Sequence, residues 1–149
     1  MRLFGDGKWW QVDRDHPAAR ALADRHYSRQ TPGAAEFMPP GRVLVLLSAD
    51  ERAVWGACEN LDPAGNRRFR VTIFRNENRD VLSSELVGEA TRRTLGFWRS
   101  HYGGVPCALT TEVDPSRTKR KRDPGRCFIK AGWRRLGKTK SGLIVLEAP

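Results

Sequence analysis

The feature that most constrains the fold is a long amphipathic segment, SSELVGEATRRTLGFWRSHYGG, at residues 83–104. Ser83 or Ser84 is suited to cap its start, and Glu85 suits the positive end of a helix dipole. Small and apolar residues recur every three to four positions and form one stripe: Leu86, Val87, Ala90, Thr94, Phe97 and Trp98. This spacing predicts a long helix that buries one face and ends at Gly103–Gly104.

Three segments before this helix have the patterns of strands. RVLVLLSA (42–49) is almost continuously apolar, which indicates a buried strand. AVWGACENL (53–61) follows it after the short turn DER, so the two form a hairpin. RRFRVTIFRNE (67–77) follows the turn DPAGN and alternates apolar with polar residues. We therefore expect three consecutive strands directly before the long helix.

The other elements are shorter. WWQVD (9–13) predicts a first strand, and DHPAARALADRHYS (15–28) predicts a helix with Asp15 as its cap and Pro17 in its first turn. This helix should end near His26–Ser28, before a loop rich in Pro and Gly at 29–41.

After the long helix, VPCALTTEVD (105–114) predicts a strand and GRCFIKAGW (125–133) a short helix. RRLGKTKSG reads as a turn and LIVLEA (143–148) as the last strand. The order β-α-β-β-β-α-β-α-β predicts one α/β domain with a mixed central sheet flanked by helices.

The charge of the chain is concentrated in one segment. Residues 117–140 hold eleven of the 27 Lys and Arg residues and one of the 17 Asp and Glu residues, which accounts for the whole formal charge of +10. Such a patch favours a polyanionic partner, either nucleic acid or the phosphates of a cofactor. A solvated loop without a partner is the alternative. The candidate nucleic-acid contacts are the basic residues of the run at 117–122: Arg117, Lys119, Arg120, Lys121 and Arg122.

Composition excludes several other classes. No apolar run approaches the roughly 20 residues of a membrane span, and MRLFGDGKWW lacks the apolar core of a signal peptide. We therefore expect a cytoplasmic protein without a membrane partner. Three widely separated cysteines make neither a disulfide framework nor a zinc cluster.

The element order resembles the GNAT acyltransferase superfamily. In that family, the strand before the central helix and the loop that joins them hold acetyl-CoA or a related acyl-CoA. The loop pattern is Arg/Gln-x-x-Gly-x-Gly/Ala, and the matching stretch here is RDVLSS (79–84), with Leu82 at a glycine place. The resemblance implies cofactor contacts at Phe74, Arg79, Ser83 and Ser84.

The C-terminal part has a second likeness to the same family. CFIKAGW (127–133) resembles the family's FYEKLGF-like segments, with Phe128 at the place where a tyrosine often serves as general acid. A narrower resemblance is to the phage Mom-type proteins, a GNAT branch that modifies adenine in DNA. It rests on His26–Tyr27, the serine-rich helix start, Asp114 and the segment RCFIKAGWRRLGKTKSG.

Four residues are candidate catalytic groups. His26 can act as a base near neutral pH, or it can interact with the C-terminal end of its helix. Tyr27 can donate a proton or stack on a base. Glu77 can accept a proton from an amine or be a solvated acid at the strand end. Asp114 can orient a base or cap the turn that begins at Pro115.

Three functions remain open. The first is an acyltransferase that acts on an amine of a nucleobase, gripping DNA with its basic loop. The second is a non-catalytic nucleic-acid-binding module, favoured by Leu82 and Phe128. The third is a small-molecule or protein N-acetyltransferase. In the first case an exposed tryptophan near the basic loop would stack on a flipped base.

Overall fold

A computed structural model of the chain describes residues 2–4, 8–26, 37–39, 41–61, 63–102, 108–117 and 125–149. The chain divides into two compact units, Met1–Val81 and Leu82–Pro149. The described residues form eight strands and three α-helices, which confirms the α/β class. None of the helices in these ranges combines the length and the apolar composition that crossing a bilayer requires.

The first unit is an antiparallel sheet with one helix. Its elements are β1 (Arg2–Phe4), β2 (Trp9–Val12), α1 (Pro17–Asp24), β3 (Val43–Ser48), β4 (Ala53–Leu61) and β5 (Arg67–Asn76). Each strand pairs antiparallel with the next along the chain. The strands predicted at 42–49, 53–61 and 67–77 are confirmed to within one residue at each end. Strand β1 was not predicted.

Helix α1 is shorter than the sequence predicts. Pro17 lies in its first turn as expected, but the capping residue is His16 and not Asp15, because Nδ1 of His16 accepts from the Ala18 amide at 3.2 Å. The helix ends at Asp24, where the amide of Arg25 bonds back to the Leu22 carbonyl at 3.2 Å. The predicted end at Tyr27 and Ser28 lies outside the described residues.

One face of the first sheet packs on α1. A core cluster of buried residues joins the helix to β3, β4 and β5: Ala19, Leu22, Ala23, Met38, Val45, Leu47, Val54, Cys58 and Ile73. The register of β5 shifts within this cluster, since Ile73 pairs with Gly56 and Val71 with Ala57. Thr72 is therefore an extra residue, and the bulge it makes changes which β5 side chains face α1.

The second unit contains the long helix. Its elements are α2 (Ser83–Tyr102), β6 (Leu109–Val113), a 3₁₀ turn (Pro115–Arg117), α3 (Arg126–Lys130), β7 (Arg134–Lys138) and β8 (Ile144–Glu147). The strand order is β6-β8-β7 with antiparallel pairing. Helix α2 begins at Ser83, so the predicted cap at Ser83 or Ser84 is wrong: the carbonyl of Leu82 accepts the first helical bonds. The predicted end at Gly103–Gly104 lies outside the described residues. The segment 134–138, predicted as a turn, is a strand, because pairing with β8 outweighs its weak strand propensity.

The buried stripe of α2 largely follows the prediction. Leu86, Val87, Ala90, Thr94 and Trp98 are buried, whereas Phe97 is half-buried. The stripe of α2 therefore anchors the core of the second unit.

Candidate functional site

A cluster of three charged side chains in the first unit joins the end of α1 to the end of β5. Nε of Arg25 donates to Oε2 of Glu77 at 2.6 Å, and its Nη2 donates to Oε1 at 2.9 Å. A bidentate guanidinium–carboxylate pair of this kind fixes orientation as well as distance. It fastens the residue after α1 to the residue after β5.

A second arginine completes this cluster. Nε of Arg75 donates to the same Oε2 of Glu77 at 2.6 Å, and its Nη1 donates to the backbone carbonyl of Arg25 at 2.9 Å. The hydrogen bond from Arg25 is the main reason that the pKa of Glu77 is lowered to about 2; partial burial opposes it and the bond from Arg75 adds to it. A carboxylate with so low a pKa is a poor proton acceptor near neutral pH. Glu77 instead acts as an anchor: its carboxylate holds Arg25, at the end of α1, to the end of β5.

The anchor fixes the backbone next to the predicted base. His26 follows Arg25 directly, is half-buried, and donates its amide to the Ala23 carbonyl at 2.9 Å. Two predicted catalytic residues, His26 and Glu77, are therefore linked through Arg25. Tyr27, the third, lies outside the described residues.

The turn after β5 is held by a chain of amide side chains. Nδ2 of Asn76 donates to the Val81 carbonyl at 2.9 Å, and its Oδ1 accepts from the Asn78 amide at 2.9 Å. Oδ1 of Asn78 accepts from the Asp80 amide at 2.9 Å, and its Nδ2 donates to Asp50. These bonds leave the turn well ordered, and Arg79 is exposed at its tip.

Hydrogen bonds from the same turns lower the pKa of Asp50. Burial raises the pKa of Asp50, but the hydrogen bonds from Ser48, the Arg52 amide and Asn78 together outweigh it, and the pKa falls below its ordinary value. Asp50 is therefore an ionised acceptor that ties the β3–β4 turn to the turn after β5.

The predicted cofactor contacts occupy two settings. Phe74 is half-buried on β5 and meets the fully buried Trp55 edge to face, with ring centroids 5.9 Å apart. Ser83 and Ser84 are half-buried in the first turn of α2. The carbonyl of Leu82 accepts from the amides of Glu85 and Leu86 at 3.1 and 3.3 Å, which makes Leu82 the cap residue, and its side chain is 66% exposed.

Asp114 lies in the second unit and organises a turn. Its Oδ1 accepts from the amide of Ser116 at 3.0 Å and from the Ser116 hydroxyl at 2.6 Å. This bonding starts the 3₁₀ turn Pro115–Arg117, which is the turn role foreseen as one of two alternatives.

The residue at the place of the family's tyrosine belongs to the core. Phe128 is only 6% exposed and packs edge to face on Trp133 with centroids 4.9 Å apart. Trp133 is itself buried, and its Nε1 donates to Oγ1 of Thr91 at 3.0 Å. Trp133 is therefore not an exposed tryptophan of the kind expected to stack on a flipped base, because its ring is enclosed.

The predicted nucleic-acid contacts fall mostly outside the described residues. Lys119, Arg120, Lys121 and Arg122 lie there, and for Arg117 only the backbone is described, at the end of the 3₁₀ turn. The structure adds exposed basic side chains that follow this run, on α3, β7 and the turn after β7: Arg126, Lys130, Arg134, Arg135, Lys138 and Lys140.

No protein-family model, curated protein or solved structure shows a significant match to this chain. Within the described ranges, no group of three or more His, Cys, Asp or Glu side chains is placed to share a metal ion.

The sequence did not identify Arg25 and Arg75 as partners of Glu77. They are 52 and 2 residues away from it in the chain. The one signal available in the sequence is that each arginine lies at the end of a predicted element. An arginine in that position is too common to indicate an ion pair.

Proposed function

We propose that the chain is a GNAT-like transferase that moves an acyl-type group from an acyl-CoA-like donor to an amine. The proposed acceptor is an amine of a nucleobase in DNA. The proposal includes the GNAT fold with its mixed central sheet.

The order of the elements supports this proposal more than any other observation. The antiparallel strands β3, β4 and β5 run consecutively, β5 carries a bulge, and a 20-residue helix follows after one ordered turn. A strand and a short helix follow, as in the predicted order, and the chain closes with the pair β7–β8, of which only β8 was predicted.

The start of α2 suits the phosphates of an acyl-CoA. Ser83 and Ser84 supply hydroxyl groups, and the first turn of a helix presents amide N–H groups to anions. In the first unit, Arg79 is an exposed cation, as the resemblance implied for a phosphate contact. The exposed side chain of Leu82 has no oxygen with which to cap these amides. Such a donor supplies a thioester carbonyl that an amine can attack.

His26 is the proposed proton acceptor for the amine. Its backbone is positioned through the Arg25–Glu77–Arg75 cluster, and a histidine can act as a general base near neutral pH. Glu77 serves this role indirectly, as the anchor of the segment that carries His26.

A non-catalytic nucleic-acid-binding module is the second candidate. The burial of Phe128 favours it, because that position supplies neither a proton nor a surface to a ligand. If the chain is instead a transferase, the leaving group must depart without a proton from this position. A thiol has a pKa near 8.5, so it can leave as the thiolate.

Acetyl-CoA binding separates the two candidates. At a hundredfold excess over Kd, a ligand that binds only the folded state adds about 2.7 kcal/mol of stability, which is roughly 5–10 °C in Tm for a chain of this size. We expect acetyl-CoA to raise Tm by this amount for the wild type and much less for Ser84→Glu, which places a negative charge at the helix start. An unchanged Tm at millimolar-range acetyl-CoA would contradict the transferase proposal.

A further inference from the structure

We propose that the exposed basic side chains of α3, of β7 and of the turn after β7 form a folded binding surface for the phosphate backbone of nucleic acid. We define the α3–β7 surface by six residues: Arg126, Lys130, Arg134, Arg135, Lys138 and Lys140. The inference rests on the proposed function for the identity of the polyanion, and it extends the contact beyond the loop at 117–122.

The charge of this surface is almost uncompensated. Residues 125–149 contain these six basic residues and one acidic residue, Glu147, and all six basic side chains are exposed. Arg134 pairs with Glu147 at 2.7 Å, yet its side chain remains 72% exposed. Among the described residues the other five make no ion pair. The surface therefore carries a positive potential that attracts polyanions.

The backbone between α3 and β7, which carries part of this surface, turns a corner that is packed around Phe128 and Trp133. The amide of Trp133 donates to the Phe128 carbonyl at 2.9 Å, and their rings pack edge to face. The bond from Trp133 to Thr91 fastens this corner to α2. Lys130 and Arg134 lie on either side of the corner, so the backbone that carries them is fixed before a ligand arrives. This arrangement lowers the entropy lost on binding.

The charges on β7 are spread along an edge strand, with Arg135 and Lys138 on the face of Leu146 and Ile144 and Arg134 on the other face. Strand β7 is the last strand in the order β6-β8-β7 and pairs with β8 alone among the described strands of this unit. From Arg134 to Lys138 it spans about 13 Å at about 3.3 Å per residue. One strand of duplex DNA carries a phosphate about every 3.4 Å along its axis. Its three basic residues, Arg134, Arg135 and Lys138, are therefore spread over a length comparable to several phosphates, whereas a single phosphate group would need donors that converge on one point.

Protection of the sheet edge is the other explanation for charged residues on β7. Lysine and arginine on an edge strand prevent pairing with another chain, but acidic residues repel a second copy equally well. Here all the charges on the edge are positive, and the basic residues continue onto α3 at Arg126 and Lys130. Reversing the sign of the charge separates the two roles, because it keeps the edge charged.

The test compares two charge reversals of equal size. Arg135→Glu/Lys138→Glu changes the α3–β7 surface, and Arg92→Glu/Arg99→Glu changes two exposed residues of α2. Fluorescence anisotropy of a short labelled duplex, and of one of its strands alone, gives Kd across about 50–200 mM salt. Circular dichroism and gel filtration show whether each variant folds and remains in the wild-type oligomeric state.

We expect the α3–β7 variant to bind on the order of tenfold or more weakly at low salt, and its salt slope to fall by about 2. The α2 variant should lose much less affinity and keep the wild-type slope. Equal losses in the two folded variants would overturn the proposal, because they would show an effect of net charge alone. Binding is measured without a donor. Failure of the transferase proposal removes the acetyl-CoA shift in Tm and leaves this result intact.

Discussion

The carboxylate of Glu77 shows how one residue can fix the end of a helix to the end of a strand. Two guanidinium groups hold it, one of them in a bidentate pair. The folded-state pKa of about 2 lies below the ordinary value of 4.5. Folding therefore favours the ionised form, and the resulting stability is fully present above about pH 4.5. It is lost as the pH falls through the window between these two values.

We predict that Glu77→Gln lowers the free energy of unfolding by about 1–2 kcal/mol near neutral pH, an estimate that allows for solvent screening at the half-exposed Arg25. Urea titrations at stepwise lower pH should show the wild type and the variant converging toward pH 2. Glu51→Gln, at an exposed glutamate in the β3–β4 turn, is the matched control and should leave the pH dependence unchanged. A constant difference between wild type and Glu77→Gln across the acid range would contradict the pKa assignment.

At the scale of the elements, the bulge of β5 against β4 leaves no room for a side chain at Gly56. A Cβ on Gly56 would lie 2.5 Å from Sδ of Met38 and 2.8 Å from Cγ2 of Ile73. The thioether of Met38 can move aside, but the branched side chain of Ile73 has few alternatives. The bulge therefore requires glycine at this position for steric reasons.

Two glycine-to-alanine substitutions test this packing. Gly56→Ala should lower the free energy of unfolding by about 1–3 kcal/mol through overpacking. Gly96→Ala, in α2, meets no atom within 4 Å and should raise it by about 0.5–1 kcal/mol, because alanine favours helix. Denaturant titration measures both. A neutral effect of Gly56→Ala would show that the bulge has more room than the structure gives it.

For the whole molecule, local patterns predicted the elements better than they predicted the site. The buried stripe of α2 and the three strands before it could be predicted because their hydrophobic periodicity is visible within a short segment of sequence. Strand β7 was missed because pairing with β8, and not its own Arg- and Lys-rich composition, makes it a strand. The role of Glu77 was missed because it depends on Arg25, 52 residues away in the chain.

Phe128 is a second example of a residue whose setting depends on contacts that the sequence does not reveal. The sequence located the short helix α3 and its Gly-Trp ending, and the structure confirms that helix at Arg126–Lys130. Burial of Phe128 and Trp133 depends on contacts with α2 that spacing alone does not reveal. The chemistry expected of that position consequently could not be judged from the sequence.

The most direct test of the transferase proposal is mass spectrometry of nucleosides from the DNA of cells that express the chain. The account predicts a new nucleoside in which an acyl-type group replaces one hydrogen of the base amine, so its mass exceeds that of an ordinary nucleoside by the acyl group minus one hydrogen. It should be absent with His26→Gln, provided that this variant keeps the wild-type Tm. DNA without any new nucleoside, from cells that contain the folded protein and acyl-CoA, would contradict the proposed modification of DNA.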